Sequence, residues 1–384
     1  MLGTKRKNMK IRGLTTALLA LSLLGGLSAA RAADLTLASE VELTGPYAFA
    51  GVTLRNGVEV GFDMAKKEGW FGSSNVNLEV QDTASDRSQA ISLANKFGAN
   101  DKVILILGPN SSFEAVPAAP VANNLKVPML TMAGVSDQIS GAGPWSFKTE
   151  ANATDLFGVL VDFVVKHRKV HRVAAIYARD NDGQIAQKDV TVAAFKAHGI
   201  EVVDTEPVLS ADTDFQSIVT KLAALHVDCV FMTTGAPQAA NLIIQARQAG
   251  LADDVTFMGA PTLGSDQFTQ IGGTAVDGAL FVADYFPDVA GKENEKFVAA
   301  YKARYKHIPD NWAGMGYTGV RLAAKAISDA GPNPSRQKVR DALAAIRNFP
   351  TIIGTGSFSF DEKRNAHYGA AVLMVKNGQI IEAK

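Results

Sequence analysis

No stretch limits the possible folds of this chain more than the aliphatic run Val103-Ile104-Leu105-Ile106-Leu107 and the turn and helix start directly after it. Its length and β-branching read as a strand buried on both faces, the kind found inside parallel sheets. Gly108-Pro109-Asn110 breaks it. Ser111, with Glu114 three residues on, matches a capping box and predicts a helix over about Phe113–Asn124. Val127–Met132 is the next apolar strand. The unit is β-turn-α-β, with serine hydroxyls and free N–H groups at the carboxyl edge of its first strand. In an open parallel sheet ligands lie at that edge, and a helix N-terminus there attracts anions. Ser111 and Ser112 are therefore either anion ligands or plain helix caps.

The same rhythm runs in both directions. Leu35–Val41 reads as a strand, Leu43–Tyr47 as a turn, Gly51–Glu68 as a helix, Val76–Gln81 as a strand and Asp86–Phe97 as a helix capped by Asp86 or Ser85. After Trp145–Thr149 it restarts. Helices are expected at Thr154–Lys166, Gln184–His198, Phe215–Leu225 and Pro237–Ala249. Strands are expected at Val173–Tyr177, Val202–Val208, Val227–Met232, Val255–Met258 and Leu280–Ala283. Strands alternating with amphipathic helices mean doubly wound parallel sheets, and so many strands exceed what one sheet comfortably takes. Two sheet lobes are expected, with chain crossings near Phe147–Asn152 and Tyr285–Pro287. Helices at about Glu293–Tyr305, Gly314–Ala330 and Ser335–Ile346 come next, then a hairpin through Asn377-Gly378.

Residues 1–32 stand apart as a secretion signal. Lys5, Arg6, Lys7, Lys10 and Arg12 form a basic head, Leu14–Leu27 an apolar middle, and Ala30-Arg31-Ala32 a cleavage site before Ala33. The apolar stretch is short for a membrane span, and no Cys comes after it that could carry a lipid, so the expected location is the periplasm. Six of the 38 Lys and Arg residues lie in this segment and none of the 38 Asp and Glu, leaving 32 basic against 38 acidic residues. That balance argues against nucleic acid as a partner. The single Cys, Cys229, falls in an apolar strand and reads as core.

Catalytic and cofactor motifs are weak. Gly314-Met315-Gly316-Tyr317-Thr318-Gly319 fits G-x-G-x-x-G but lacks the preceding strand and the later acidic residue a dinucleotide site needs. Small residues for close helix packing are the better account. His167 and His171 sit among Lys and Arg in a solvated turn, which does not suit a metal. Neither a cofactor nor catalysis is expected.

Taken in order, several segments resemble the leucine/isoleucine/valine-binding family of periplasmic substrate-binding proteins. They are Leu43-Thr44-Gly45-Pro46, Ile106-Leu107-Gly108-Pro109-Asn110-Ser111-Ser112, Val127-Pro128-Met129-Leu130-Thr131, Gln245-Ala246-Arg247-Gln248-Ala249-Gly250-Leu251, Phe257-Met258-Gly259 and Phe358-Ser359-Phe360-Asp361-Glu362-Lys363. The resemblance implies a type I periplasmic-binding fold: two lobes joined by three hinge crossings that close on a ligand. The lobes would be 33–148 with 284–355, and 149–283 with 356–384, the third crossing lying near Thr355–Phe360. It also implies an ABC permease of the inner membrane as partner, and a monomer.

The resemblance places the family's carboxylate-binding hydroxyl at Ser112, beside Ser111, and its backbone contacts at Ala133 and Val135. The family usually has Thr at the latter; here Ser136 is adjacent. Where the family has a Tyr before a Gly, this chain has Asp182-Gly183. Where it has an aromatic wall, this chain has Gly235. The acid that pairs with a ligand amino group is replaced by Pro261. An unpaired buried ammonium costs several kcal/mol, so either Asp182 takes over or the ligand lacks an amino group. Phe49, Phe113 and Trp312 would supply apolar wall, although Trp312 also suits a lobe core. The expected function is reception of a small carboxylate, an aromatic or branched-chain acid. A neutral amino acid is the alternative ligand. A sensor feeding a membrane partner and an exported enzyme on the same fold are the other classes considered.

Overall fold

A computed structural model describes residues 1–4 and 34–384. The signal-peptide assignment therefore lies almost wholly outside the described residues. The first sheet holds β1 (Asp34–Val41), β2 (Asn75–Asp82), β3 (Val103–Leu107), β4 (Met129–Thr131) and β5 (Ser146–Lys148). Its order is β2-β1-β3-β4-β5 and every pairing is parallel. The connecting helices are α1 (Ala48–Glu68), α2 (Arg87–Gly98), α3 (Ser112–Asn124) and the short α4 (Asp137–Gly141). All five residues of β3 are buried, as an aliphatic run in a central parallel strand must be.

The second sheet is built from α5 (Ala153–His167), β6 (Arg172–Ala178), α6 (Asp182–Ala197), β7 (Glu201–Val208), α7 (Gln216–Ala224), β8 (Cys229–Thr233), α8 (Ala236–Gln248), β9 (Thr256–Gly259), α9 (Asp266–Gly272) and β10 (Leu280–Ala283). The chain then returns to the first lobe for α10 (Lys292–Tyr305), α11 (Asn311–Asp329) and α12 (Arg336–Ala344). Three short strands come next, β11 (Phe349–Pro350), β12 (Ser357–Phe360) and β13 (Ala366–His367). The hairpin β14 (Ala371–Lys376) and β15 (Gln379–Glu382) ends the chain. It joins the second sheet antiparallel to β10, in the order β15-β14-β10-β9-β8-β6-β7. The second sheet is therefore mixed rather than wholly parallel. Asn377 and Gly378, both at positive φ, make its turn.

Two expectations change. The stretch 357–365, expected in the second lobe with the rest of 356–384, packs on the first. Phe360 stacks edge-on against Phe147 of β5, and Arg364 donates to the carbonyls of Ser146 and Ser140. Pairing with the second sheet begins only at Ala371. The third crossing is thus carried by residues 366–371, where Ala366 bridges Ala151 of the first crossing. The capping box is also absent: Ser111 stands at the N-cap of α3, but its side chain caps nothing. Its N–H instead donates to Glu42 Oε1 at 3.1 Å, and Glu114 is buried. The cap at Asp86 does form, accepting from the Gln89 N–H at 2.8 Å.

The glycine-rich stretch of α11 is a packing device. A Cβ on Gly316 would lie 2.2 Å from the Leu54 carbonyl oxygen, and one on Gly57 would lie 1.9 Å from that of Ala313. Helices α1 and α11 therefore meet backbone to backbone. Cys229 is fully buried in β8, and burial pushes its thiol pKa up.

Candidate functional site

The two sheets turn their carboxyl edges toward each other, and a cleft of about 480 Å³, counting its open mouth, lies between them. From the first lobe it is lined by Glu42 after β1, Tyr47, Phe49 and Ala50 at the start of α1, Asn110, Ser111 and Ser112 after β3, and Ala133 and Val135 after β4. The second lobe contributes Asn181, Gly183, Gln184 and Gln187 of α6 and its cap, and Pro261 and Thr262 after β9. Glu150 of the first crossing and Trp312 of α11 complete it.

One end of the cleft suits an anion. Ser112 opens α3, is 3% exposed, and its Oγ accepts the Ser136 N–H at 3.2 Å. That bond fixes the oxygen and leaves the hydroxyl proton to donate elsewhere. The Val135 N–H has no acceptor among the described residues. The carbonyl of Val135 is held at 2.7 Å by the buried Lys148 ammonium, which also donates to Asp137 and Asn152. The first N–H groups of α3 point the same way, with the positive end of the helix dipole. The Ala133 N–H is taken by the Asn110 carbonyl at 3.1 Å, so only its carbonyl remains for a ligand.

Beneath this end lie three buried carboxyls, Glu40, Glu42 and Glu114. Burial is the main reason that all three pKa values rise, Glu114 to about 10 with the Glu42 charge as second cause. Held neutral, Glu114 puts no repulsion under an incoming carboxylate.

Of the residues singled out from sequence, Ser111, Ser112, Ala133, Val135, Phe49, Pro261 and Trp312 converge on the cleft. Ser136 stands behind Ser112 as its positioning group. Phe113 does not line the cleft: its ring lies against Tyr47 and under the Arg87 guanidinium. Gly235 sits behind Phe49, whose ring would meet a Cβ there at 3.3 Å. Asp182 is corrected outright. Its carboxylate faces away and pairs with Arg87 of the first lobe at 2.7 Å, so it does not replace the acid lost at Pro261.

Residues missed from sequence are Glu42, Tyr47, Asn110, Glu150, Asn181, Gln184, Gln187 and Thr262. Asn181 caps α6, accepting from the Gly183 and Gln184 N–H groups, and donates to Tyr47 Oη at 2.9 Å. Tyr47 Oη also lies 2.5 Å from Ser210 Oγ. With Arg87–Asp182, these bonds clasp the lobes shut across the cleft mouth. Gly183 is required there, since a Cβ would lie 2.6 Å from Ser112 Oγ. Among the described residues there is no cluster of His, Cys, Asp and Glu suited to a metal.

A model of the family described as periplasmic binding protein matches residues 35–379. The leucine-, isoleucine-, valine-, threonine- and alanine-binding protein of Pseudomonas aeruginosa is 29% identical over 90% of each chain. A leucine binding protein structure from Thermotoga maritima superposes with a TM-score of 0.83 at 24% identity, covering 91% of this chain and 98% of that one. An ABC-transporter solute binding protein from Rhodopseudomonas palustris BisB5, in complex with 3,4-dihydroxybenzoic acid, gives 0.81 at 24% identity, covering 91% and 96%. With the two-lobed α/β fold and the cleft between its lobes, this places the chain in the periplasmic binding protein family.

Proposed function

We propose that this protein is the periplasmic receptor of an ABC importer for a small carboxylate with an aromatic or branched apolar body. The observation that carries this reading is the convergence of the Ser112 hydroxyl, the Val135 N–H and the start of α3 on one end of a lobe-enclosed cleft. Phe49, Tyr47 and Trp312 give that cleft its apolar wall. Closure of the lobes traps the ligand, and the closed form docks on an inner-membrane permease. The receptor acts as a monomer, without chemistry, after its signal segment is removed.

Two ligand types fit this frame. Pro261, in place of an acid, supports an amine-free acid, in line with the dihydroxybenzoate held by the Rhodopseudomonas relative. An α-amino acid is supported by the unpaired carboxyl of Glu150 in the same cleft. Protein unfolded and refolded to strip carried-over ligand should gain about 2.7 kcal/mol of stability from a true ligand at about 100 times its Kd. A thermal-shift panel of leucine, phenylalanine, 4-methyl-2-oxopentanoate, phenylpyruvate, benzoate and p-coumarate reads this directly. Ser112→Ala is expected to weaken binding of the best ligand by about 1.5–3 kcal/mol, because the carboxylate loses a charge-assisted donor. An unchanged Kd in that variant removes Ser112 from the site.

A further inference from the structure

All three crossings between the lobes meet at one buried polar cluster. Glu150 and Ala151 belong to the first, Asp284 to the second, Tyr368 to the third. The Tyr368 hydroxyl donates to Asp284 Oδ1 and accepts the Ala151 N–H at 2.9 Å. Asn311 Oδ1 receives the N–H groups of Asp284 and Tyr285, at 3.1 and 3.0 Å. Asp284 is thus bonded within the hinge itself. Glu150 is different: it is only 2% exposed, its carboxyl has no hydrogen-bond partner among the described residues, and it lines the cleft. The groups that act on it are Asp284 from the second crossing, the Tyr368 phenol from the third and Lys148 from β5. Lys148 is spent on the Val135 carbonyl, Asp137 and Asn152. Glu42, the other carboxyl lining the cleft, accepts the Ser111 N–H and sits against Glu114. What buries Glu150 is the closure of the lobes. When they part, water fills the cleft and solvates the carboxylate; when they shut, its charge has neither water nor a partner, and that is costly.

We propose that Glu150 couples hinge closure to a proton: shutting the lobes on a ligand loads one proton from solvent onto Glu150, and opening them returns it. This rests on the carboxylate reading above, with an amine-free acid as the ligand. An anion in the cleft repels a second negative charge there, so carboxylate and proton are captured as a pair. In the closed form burial first and the Asp284 charge second raise the Glu150 pKa, while Lys148 opposes. Asp284 is raised to about 6, mainly by burial, and so is charged at neutral pH. A solvated glutamate titrates near about 4.3. Between that value and the raised one, the open form has lost a proton that the closed form keeps. Capture therefore weakens as pH rises, by close to about tenfold per pH unit, and is tightest in acid.

The experiment is titration calorimetry on stripped full-length mature protein at pH 7.5, in phosphate and in Tris, which differ in ionisation enthalpy. The probes are benzoate, phenylpyruvate and 4-methyl-2-oxopentanoate, with leucine as the amine-bearing counterpart. The tightest of the three acids should take up close to one proton, and its affinity should fall by about tenfold per unit from pH 6 to pH 8. Glu150→Gln keeps the shape and is neutral at every pH. It should take up no proton, show a flat pH profile and bind that acid at least about 10-fold tighter than the parent at pH 8, where loss of a merely structural residue would loosen binding. Asp284→Asn removes the neighbouring charge and should lower the pH at which affinity stops falling. No proton uptake, the same uptake in Glu150→Gln, or weaker binding by that variant at pH 8 would each overturn the proposal. So would leucine binding tightest without proton uptake, since its ammonium would then pair with an ionised Glu150. If uptake is absent but Ser112→Ala still weakens the acid, the linkage falls and the carboxylate reading stands. If uptake persists while Ser112→Ala leaves Kd unchanged, the Ser112 anion site falls and the linkage stands, because burial alone drives it.

Discussion

Raising the pH from about 4 to about 8 is expected to destabilise the folded protein by roughly 4 kcal/mol through Asp310 alone. Asp310 caps α11, its Oδ1 accepting the Ala313 N–H at 2.9 Å, while Oδ2 is buried and finds no hydrogen-bond partner among the described residues. Burial is the chief cause that lifts its pKa from an ordinary 3.8 to about 7; the Ala313 N–H opposes, and the Asp266 charge adds to the rise. The folded chain then holds a proton on Asp310 over a range where the unfolded chain has lost it. That contribution is complete below about pH 4 and disappears as pH climbs through about 7. Asp284, raised to about 6, acts in the same direction. Asp82 and Asp361, whose values are lowered by the N–H and side-chain donors around them, lose their contribution only in stronger acid, outside this window. Urea unfolding at pH 5 and pH 8 reads the slope. Asp310→Asn retains the cap oxygen and should flatten it markedly; a slope the same in both proteins would show that Asp310 titrates normally.

A Cβ at residue 57 should be nearly as damaging. Gly57→Ala places a methyl 1.9 Å from the Ala313 carbonyl oxygen and 2.7 Å from its carbon, atoms of a helix backbone that cannot rotate away. The α1–α11 contact must open, and it carries the first lobe's outer layer, with Leu54, Val58, Val320 and Ile327 fully buried around it. Overpacking against side chains costs about 1–3 kcal/mol, and against backbone more, so a loss of at least about 3 kcal/mol is expected. Gly158→Ala in α5, where a Cβ meets nothing within 4 Å, is the control. It should be neutral or gain up to about 1 kcal/mol from helix propensity. Equal urea midpoints for the two variants would sink the argument.

The same contact shows what a sequence reveals. Apolar runs and helical periodicity mark most elements from β1 to α12, though not the short helices α4 and α9, with ends shifted by a few residues where helices fray. Alternation also puts Glu40 and Glu42 on one face at the end of β1, but two carboxyls on a buried strand make no sense until Glu114 is seen beside them. Ser111 fails as a cap because its N–H is drawn to Glu42, a partner 69 residues away. Asp182 fails for the same kind of reason: Arg87, 95 residues earlier and on the opposite lobe, claims it. Glu150 is inconspicuous among the polar residues of a crossing, and only the meeting of three crossings gives it neighbours. Family resemblance locates Ser112 and Val135 because they come directly after strands whose register is fixed locally. The second-lobe contacts depend on how the lobes close, which no local pattern encodes.

The burial of Cys229 has a practical corollary. With the only thiol sealed inside β8 and its pKa raised, thiol reagents find nothing to modify on the native protein at neutral pH. A single cysteine introduced at the exposed Ala211, beside the Ser210 that meets Tyr47 across the cleft mouth, would be the one labelling handle. An environment-sensitive dye there would convert hinge closure into an optical signal, making the receptor a reagentless sensor for whatever solute it carries.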